Sequence, residues 1–210
     1  MDLALELAGP TCSVALRTPD DVVHERDFSD VRGRGLMAAV DELCRGHDAR
    51  GKLTRVVVGV GPGSYTGLRI ACSAARMLAW AEGIEAVGVG SLGAAAEAEL
   101  RDEGSPAHGG ELHLLVDAFR GEFYHAAYRL DGEVLVETAA PRIVTREEAP
   151  SLLADGTPYL GDAAVAPAAR HRGEFAPRAA ALLRIARSTP DMLREAEPLY
   201  LRETAYKKRG

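Results

Sequence analysis

Short apolar runs separated by turn signals dominate the first 28 residues. The runs are residues 3–7 (LALEL), 12–17 (CSVALR) and 21–28 (DVVHERDF), with Gly9-Pro10 and Thr18-Pro19-Asp20 between them. The third run alternates apolar and polar positions, as a strand with one solvent-facing side does. We therefore predict a three-strand antiparallel meander at the start of the chain.

A helical period replaces this pattern in residues 35–44 (GLMAAVDELC), where apolar side chains fall at i, i+4 and i+7. That period predicts an amphipathic helix. Residues 55–60 (RVVVGV) are β-branched without alternation, as in a buried central strand. A glycine-rich turn, a helix that ends near Glu82 and a short strand at 85–90 (EAVGVG) complete the first half.

The second half repeats the same order of elements. Its predicted strands are 112–117, 122–130, 133–138 and 157–162, and its predicted helices are 145–155 and 178–187. Asp131-Gly132 is a typical hairpin turn between two of these strands. Thr145 and Glu148 have the spacing of a capping box, which marks the start of the first of these helices.

Two copies of the order β-β-β-α-β-α predict an α/β protein with two similar lobes. The polar, glycine-rich residues 101–110 predict the boundary, so that the lobes span residues 1–104 and 105–198. Duplicated lobes of this order are the plan of the actin, Hsp70 and sugar kinase (ASKHA) superfamily, an RNase H-like fold that grips ATP between its lobes. Fold analogy alone says little about function.

Composition narrows the class of protein. The formal net charge is −6, which argues against nucleic-acid binding by this chain alone, although not within a complex. The three cysteines are odd in number and far apart, as suits a reducing cytosol better than a disulfide framework. The start of the chain lacks the basic region of a signal peptide, and no apolar run is long enough for a bilayer. We expect a cytoplasmic protein with no membrane contact.

The stretch GVGPGSYTGLRIA (59–71) carries the most specific pattern. Gly61 and Gly63 permit unusual backbone angles, and Ser64 can cap the helix that follows. The free amides at that helix start would also attract a phosphate, although the spacing is not that of a Walker loop. A nucleophilic Ser64 is disfavoured because the pattern is not G-x-S-x-G. We interpret Ser64 as a helix cap and keep phosphate binding as the alternative.

Metal and cofactor chemistry find little support. No two of the six histidines have metal-ligand spacing, and His24, His113 and His125 read as isolated strand residues. Two strand-end acids, Glu6 and Asp117, are the weak candidates for holding magnesium across a cleft. For Asp117 a solvated turn residue is an equal interpretation, and for Glu6 it is the better one. We expect no metal, no cofactor and no catalytic residue.

The helix after the glycine turn is unusual in its small side chains. Its two ridges are Gly67, Ala71, Ala74 and Leu78, and Leu68, Cys72, Ala75 and Ala79. A helix that is small or apolar nearly all round is buried nearly all round. On the outside of a sheet this requires a partner; a central core helix of the protein itself is the alternative.

These residues resemble the bacterial TsaB/YeaZ family, whose usual signature is G-x-G-P-G-S-F/Y-T-G-L/V-R. GVGPGSYTGLRI matches it, and CSVAL (12–16), VDAFRGEFYHAAY (116–128) and AEPLYLRETAYKK (196–208) follow in the family's order. The resemblance therefore covers the whole chain.

The resemblance implies a non-catalytic subunit of the machinery that makes threonylcarbamoyladenosine next to the anticodon in tRNAs that decode ANN codons. Such a subunit binds and activates the transferase TsaD, and the ATPase TsaE joins the pair. It implies a homodimer when the protein is alone, contact with tRNA only through the complex, and a C-terminal segment of about residues 199–210 that packs back on the first lobe. The implied partner-binding residues are Gly61, Gly63, Ser64, Tyr65, Thr66, Gly67, Leu68, Ile70, Ala71 and Ala74.

Several positions depart from the family pattern. Glu6-Leu7 stands where Asp-Thr is usual, Phe119 replaces the arginine of D-A-R, and a histidine is missing from residues 30–36. We expect these changes to weaken any nucleotide site. Two alternatives stay open: a free-standing ASKHA-type phosphotransferase, and a glycoprotease-like peptidase, which the absent nucleophile and metal motifs disfavour.

Overall fold

The computed structural model describes residues 1–28, 34–105, 107–153, 156–162 and 170–202. Within these residues the fold consists of two mixed β-sheets, one of six strands and one of five, and four α-helices. Each sheet begins with an antiparallel meander, to whose first strand a further strand is added in parallel.

The strand bounds follow the predicted runs closely in the first half. The first sheet contains β1 (Asp2–Glu6), β2 (Cys12–Arg17), β3 (Val23–Phe28), β4 (Arg55–Gly59), β5 (Glu85–Val89) and β11 (Arg194–Glu195). The second contains β6 (Glu111–Asp117), β7 (Glu122–Asp131), β8 (Val134–Thr145), β9 (Pro158–Gly161) and β10 (Arg170–Gly173). The strand order is β11-β5-β4-β1-β2-β3 in the first sheet and β10-β9-β6-β7-β8 in the second. The helices are α1 (Leu36–Gly46), α2 (Tyr65–Glu82), α3 (Ser91–Arg101) and α4 (Ala179–Ser188).

The helices form two layers on either side of the first sheet. Along β1 the side chains alternate: Leu3 and Leu5 pack with α1 and α2, whereas Ala4 packs with α3 and α4. The second sheet lies beyond α3 and α4. The first sheet is therefore covered on both faces, as its unalternating valine run in β4 predicts.

Helices α3 and α4 are exchanged between the two halves of the sequence. α3 follows β5 of the first sheet but packs against β6, β7 and β8 of the second. α4 follows β10 of the second sheet but packs against β1, β2 and β4 of the first. One buried cluster therefore contains side chains from both halves, such as Leu92, Leu114 and Leu182. The predicted boundary at residue 104 stays a prediction.

The predicted helix at 145–155 is wrong over its described part. Thr145 and Glu148 do form the reciprocal capping-box bonds, of 2.8 and 3.2 Å. Only a 3-10 turn at Ala149–Leu152 follows, because Pro150 has no amide to donate and clashes with the preceding turn. Residues 154 and 155 lie outside the described residues.

Other elements were missed or cut short by the sequence interpretation. α3 lies directly before the predicted boundary, where its alanine-rich sequence shows little apolar periodicity. β8 continues past the predicted end at residue 138 and includes Pro141, which is tolerated because β8 is an edge strand. No helix in the described ranges is long and apolar enough to cross a membrane.

Candidate functional site

The glycine turn at residues 61–64, here called the signature turn, is held by hydrogen bonds within the chain. Ser64 Oγ accepts the Gly67 amide at 3.2 Å, which confirms Ser64 as the helix cap. The amides of Ser64 and Gly61 donate to the Ala8 carbonyl (2.9 Å) and to Ser91 Oγ (3.1 Å). These three amides already have acceptors, so the geometry does not favour the phosphate alternative.

Glycine is required here by close approach to the chain's own backbone. A Cβ on Gly63 would lie 2.6 Å from the Ala8 carbonyl oxygen, and one on Gly67 only 2.1 Å from the Leu7 carbonyl oxygen. Gly61 has a φ of 97°, in the left-handed region that favours glycine. We expected Gly67 to let a partner helix approach; its close neighbour is instead the β1–β2 turn.

The carboxyl group of Glu6 lies in the interior beside this turn. It is fully buried, and its oxygens accept the Ala8 amide (2.7 Å) and the Ser91 hydroxyl (2.9 Å). Burial raises the pKa of Glu6 from its ordinary value near 4.5 to about 7. Glu6 therefore joins β1, the signature turn and α3, and its place in the interior removes it as a ligand for a cleft nucleotide.

Helix α2 has one buried side and one open side, which argues against the alternative of a core helix that the chain buries by itself. Ala71, Cys72, Ala75 and Ala79 pack in one core cluster with the first sheet, and Leu68 packs in the other, with Val57 of the same sheet. Leu68 and Ala71, which were expected at the partner surface, therefore lie on the side of α2 that faces the sheet. Tyr65, Thr66 and Ser64 are exposed, and Ile70 and Ala74 are partly exposed.

Large apolar side chains are exposed on the open side of α2 and on the neighbouring α1. This surface, here called the open face, consists of Met37 of α1 and of Tyr65, Met77 and Trp80 of α2. Trp80 is 86% exposed and Met77 is 71% exposed, far beyond what a core-forming residue type normally shows. An apolar groove of about 640 Å³ runs between α1 and α2, lined by Ile70 and Ala74 among others. Apolar patches of this kind mark interaction sites.

Residues 194–202, here called the C-terminal strap, border the open face. β11 pairs antiparallel with β5, and the Leu199 amide donates to the Val60 carbonyl at 2.8 Å. The ring of Tyr200 packs on Tyr65 with centroids 5.4 Å apart, and Arg76 pairs with Glu197 at 3.0 Å. Residues 203–210 of the predicted returning segment lie outside the described residues.

Asp117 lies at the end of β6, beside a cavity of about 490 Å³ that also contacts Pro10, Gly161 and His171. Asp117 is exposed, and its Oδ1 accepts the Phe119 amide at 2.8 Å within the β6–β7 turn. Glu6 does not line this cavity, so the two acids do not converge on one ion. No cluster of three or more metal-ligating side chains occurs among the described residues.

A histidine pair escaped the sequence interpretation. His113 Nδ1 and His125 Nε2 are 3.1 Å apart, and His125 Nδ1 is buried without a hydrogen-bond partner. Burial, and to a smaller extent the charge of the neighbouring His113, lower the pKa of His125 from its ordinary value near 6.5 to about 4. The hairpin register contained the signal, because Ala127 lies opposite His113 and His125 is therefore its diagonal neighbour.

Comparison with protein families gives a match over most of the chain. The family described as "TsaD: tRNA N6-adenosine threonylcarbamoyltransferase" matches residues 33–186. A Bacillus subtilis protein named tRNA threonylcarbamoyladenosine biosynthesis protein TsaB is 33% identical over 63% of this chain and 57% of its own length. The chain thus spans little more than half of that relative.

Two further comparisons agree. An uncharacterised protein of Mycobacterium tuberculosis is 31% identical over 74% of this chain and 72% of its own length. The solved structure of YeaZ from Pseudomonas aeruginosa superposes with a TM-score of 0.80 over 95% of this chain and 99% of that one, at 23% identity. This structural similarity confirms the predicted duplicated α/β fold.

Proposed function

The chain belongs to the TsaB/YeaZ family, and from that membership we propose that it is the non-catalytic partner of a TsaD-like threonylcarbamoyltransferase. In this role it supports threonylcarbamoyladenosine formation next to the anticodon in ANN-decoding tRNAs. It contacts tRNA only within the complex, in the cytoplasm. A TsaE-like ATPase joins the pair, and the chain forms a homodimer in the absence of its partner.

The observation that carries this proposal is the open face. Met77 and Trp80 expose large apolar surfaces beside an apolar groove, and both project from the helix that begins at the family signature. The hydrophobic effect favours covering such a surface with a partner of similar character. The charge balance of the chain favours a protein partner over direct contact with nucleic acid.

A non-catalytic role is supported by the two candidate acids. Glu6 is enclosed in the interior, and Asp117 uses a carboxylate oxygen within its own turn. A phosphotransferase of this fold needs acidic metal ligands that face each other across the cleft. We expect the purified chain to release no phosphate from ATP. Steady phosphate release that Asp117→Ala abolishes would favour the phosphotransferase alternative instead.

Ala74→Arg tests the position of the partner surface. Ala74 is partly exposed in the groove, so an arginine there reaches solvent and leaves the fold intact, while it places a charge in the contact with TsaD. We expect loss of co-purification with the TsaD of the same organism, and loss of modification in a reconstituted assay. Circular dichroism checks that the variant remains folded.

Two matched substitutions serve as controls for Ala74→Arg. Ala140→Arg makes the same chemical change at an exposed position of β8 and should bind TsaD normally. Ala75→Arg places the charge against the first sheet and should unfold the protein. A folded Ala74→Arg protein that binds TsaD as tightly as Ala140→Arg would contradict the proposed surface. Loss of self-association alone, with TsaD binding retained, would make the groove a homodimer contact.

A further inference from the structure

Four arginines converge on a cavity that the proposed function does not use. The cavity has a volume of about 480 Å³ and lies between the β2–β3 hairpin and the C-terminal ends of α3 and α4. Its basic side chains are Arg17, Arg101, Arg184 and Arg187, and its acidic ones are Asp21 and Glu133. The lining residues thus carry an excess of positive charge.

One buried carboxylate, that of Glu97, fixes two of these guanidinium groups on the side away from the cavity opening. Glu97 is only 1% exposed and accepts two hydrogen bonds from Arg184, of 2.7 and 2.8 Å. It also pairs with Arg101. Because a guanidinium has five N–H donors in a rigid plane, a carboxylate on one edge orients the remaining donors. These arginines are therefore held in place before any ligand arrives.

Arg17 is oriented in the same way. Its guanidinium pairs with Asp2, which is itself mostly buried and also pairs with Arg55 at 2.9 Å. The cavity consequently has oriented donors from the first half of the sequence, in Arg17, and from the second half, in Arg184.

The acids that line the cavity are held much less firmly. Glu133 is 81% exposed and contacts Arg101 at 2.7 Å, and Asp21 is 53% exposed and pairs with Arg187. Exposed ion pairs contribute little to stability and exchange readily with other anions. An incoming anion can displace both carboxylates, whereas it cannot displace the buried Glu97.

Helix dipoles explain only part of the cluster. Arg101 and Arg187 lie in the last turns of α3 and α4, where a positive charge complements the helix end. Arg17 lies on a strand and Arg184 is a turn earlier in its helix, so the dipole gives no reason for either. A different reason is needed for the orientation of Arg17 and Arg184 by buried acids.

We propose that this cavity binds a phosphate group, with Arg184 and Arg187 as direct donors and with Glu133 and Asp21 as displaceable carboxylates. Planar guanidinium groups match the oxygens of phosphate in charge and geometry. The phosphate can be free, as inorganic phosphate, or attached, as the terminal phosphate of an oligoribonucleotide. Arg17 and Arg101 of the first half line the cavity together with these two donors of the second half, so a phosphate bound there lies between residues of both halves.

Calorimetric titration of the full-length chain tests this site with three probes: inorganic phosphate, a 5′-phosphorylated oligoribonucleotide and the same oligonucleotide without that phosphate. Arg187→Ala should weaken binding of the phosphate-bearing probe about 10-fold or more, as loss of a charge-assisted hydrogen bond does. The matched control is Arg45→Ala, which removes an exposed arginine from the last turn of α1.

A gain-of-binding variant sharpens the test. Glu133→Gln removes a competing carboxylate and should strengthen phosphate binding several-fold, whereas Glu147→Gln makes the same change at an exposed position of another turn and should not. Binding of inorganic phosphate identifies a free anion as the ligand, and binding of the 5′-phosphorylated probe alone identifies an attached one. The proposal is overturned if no probe binds saturably, if Arg187→Ala and Arg45→Ala behave alike, or if the unphosphorylated oligonucleotide binds equally well.

Discussion

Glu6 couples protonation to folding. Its carboxyl group is enclosed where β1, the signature turn and α3 meet, and the nearby donors are an amide and a hydroxyl rather than a cation. A carboxyl group whose pKa is raised on folding stabilises the native state below its unfolded value near 4.5. That contribution is lost as the pH rises through the folded value of about 7.

The free energy of unfolding should therefore fall with rising pH through a contribution from Glu6, by about 2 kcal/mol between pH 5.5 and pH 8. Glu6→Gln mimics the neutral carboxyl group and should remove that contribution. Denaturant unfolding of both proteins at several pH values measures it as a difference between them.

The comparison of the two proteins is needed because the titration of His125 changes the free energy of unfolding in the opposite direction. Its lowered pKa makes the native state less stable as the pH falls from 6.5 toward 4, in both proteins alike. Subtracting the two pH profiles cancels this effect. Parallel profiles for wild type and Glu6→Gln would show that Glu6 stays ionised in the folded chain.

At the scale of single residues, the sequence predicted roles that depend on near neighbours in the chain better than it predicted which side chains are buried. The cap at Ser64 and the capping box at Thr145 depend on neighbours within three residues, and both were predicted. Glu6 was expected at a solvated strand end, because its burial depends on Ser91, which is 85 residues away. Spacing along the chain contains no such information.

Among the elements, α2 contains a glycine whose replacement should be costly. In Gly67→Ala the new methyl group would lie 2.1 Å from the Leu7 carbonyl oxygen, so either the helix or the β1–β2 turn has to move. We expect destabilisation of about 1–3 kcal/mol or more, as for overpacked cores. Thermal and denaturant unfolding measure the change.

Gly46→Ala is the matched helical control. Gly46 is the last residue of α1, and a Cβ there meets no atom within 4 Å. Since alanine favours helix over glycine by up to about 1 kcal/mol, this variant should be as stable as wild type or slightly more so. Similar effects of the two substitutions would mean that the close approach at Gly67 is not rigid.

The predictability of elements follows their periodicity. α1 and α4 have strong apolar stripes and were located within two residues of their observed ends. α3 was missed. It is buried between the two sheets and consists largely of alanine, so its sequence shows little difference in hydrophobicity between one face and the other. The ridge expected to face a partner included Gly67 and Ala71, which instead lie against the chain itself, because the sequence does not show which ridge packs on the sheet.

For the molecule as a whole, the exchanged helices predict a single cooperative unfolding transition. The buried carboxylate of Glu97 in α3 pairs with the partly exposed Arg184 of α4, and both helices belong to one core that includes both sheets. Calorimetry should give equal calorimetric and van't Hoff enthalpies. A fragment of residues 1–104 should lack cooperative unfolding, since the inner face of its sheet needs α4.

Glu97→Ala tests the contact between α3 and α4 in the full-length protein. It leaves the partly exposed guanidinium groups of Arg101 and Arg184 without their shared carboxylate and should cost about 1.5–3 kcal/mol. Glu103→Ala, at an exposed position just after α3, should change the free energy of unfolding very little. Two separate transitions in the wild type, or a stable 1–104 fragment, would contradict the shared core.

The exchange of α4 also constrains the order of events during synthesis. The first sheet gains its inner cover from residues 179–188 and an edge strand from residues 194–195. While residues 179–188 are still missing, the first sheet therefore has one bare apolar face. Folding of the first sheet, which includes residues 2–6, has to wait for the synthesis of α4, and until then this face is exposed to aggregation.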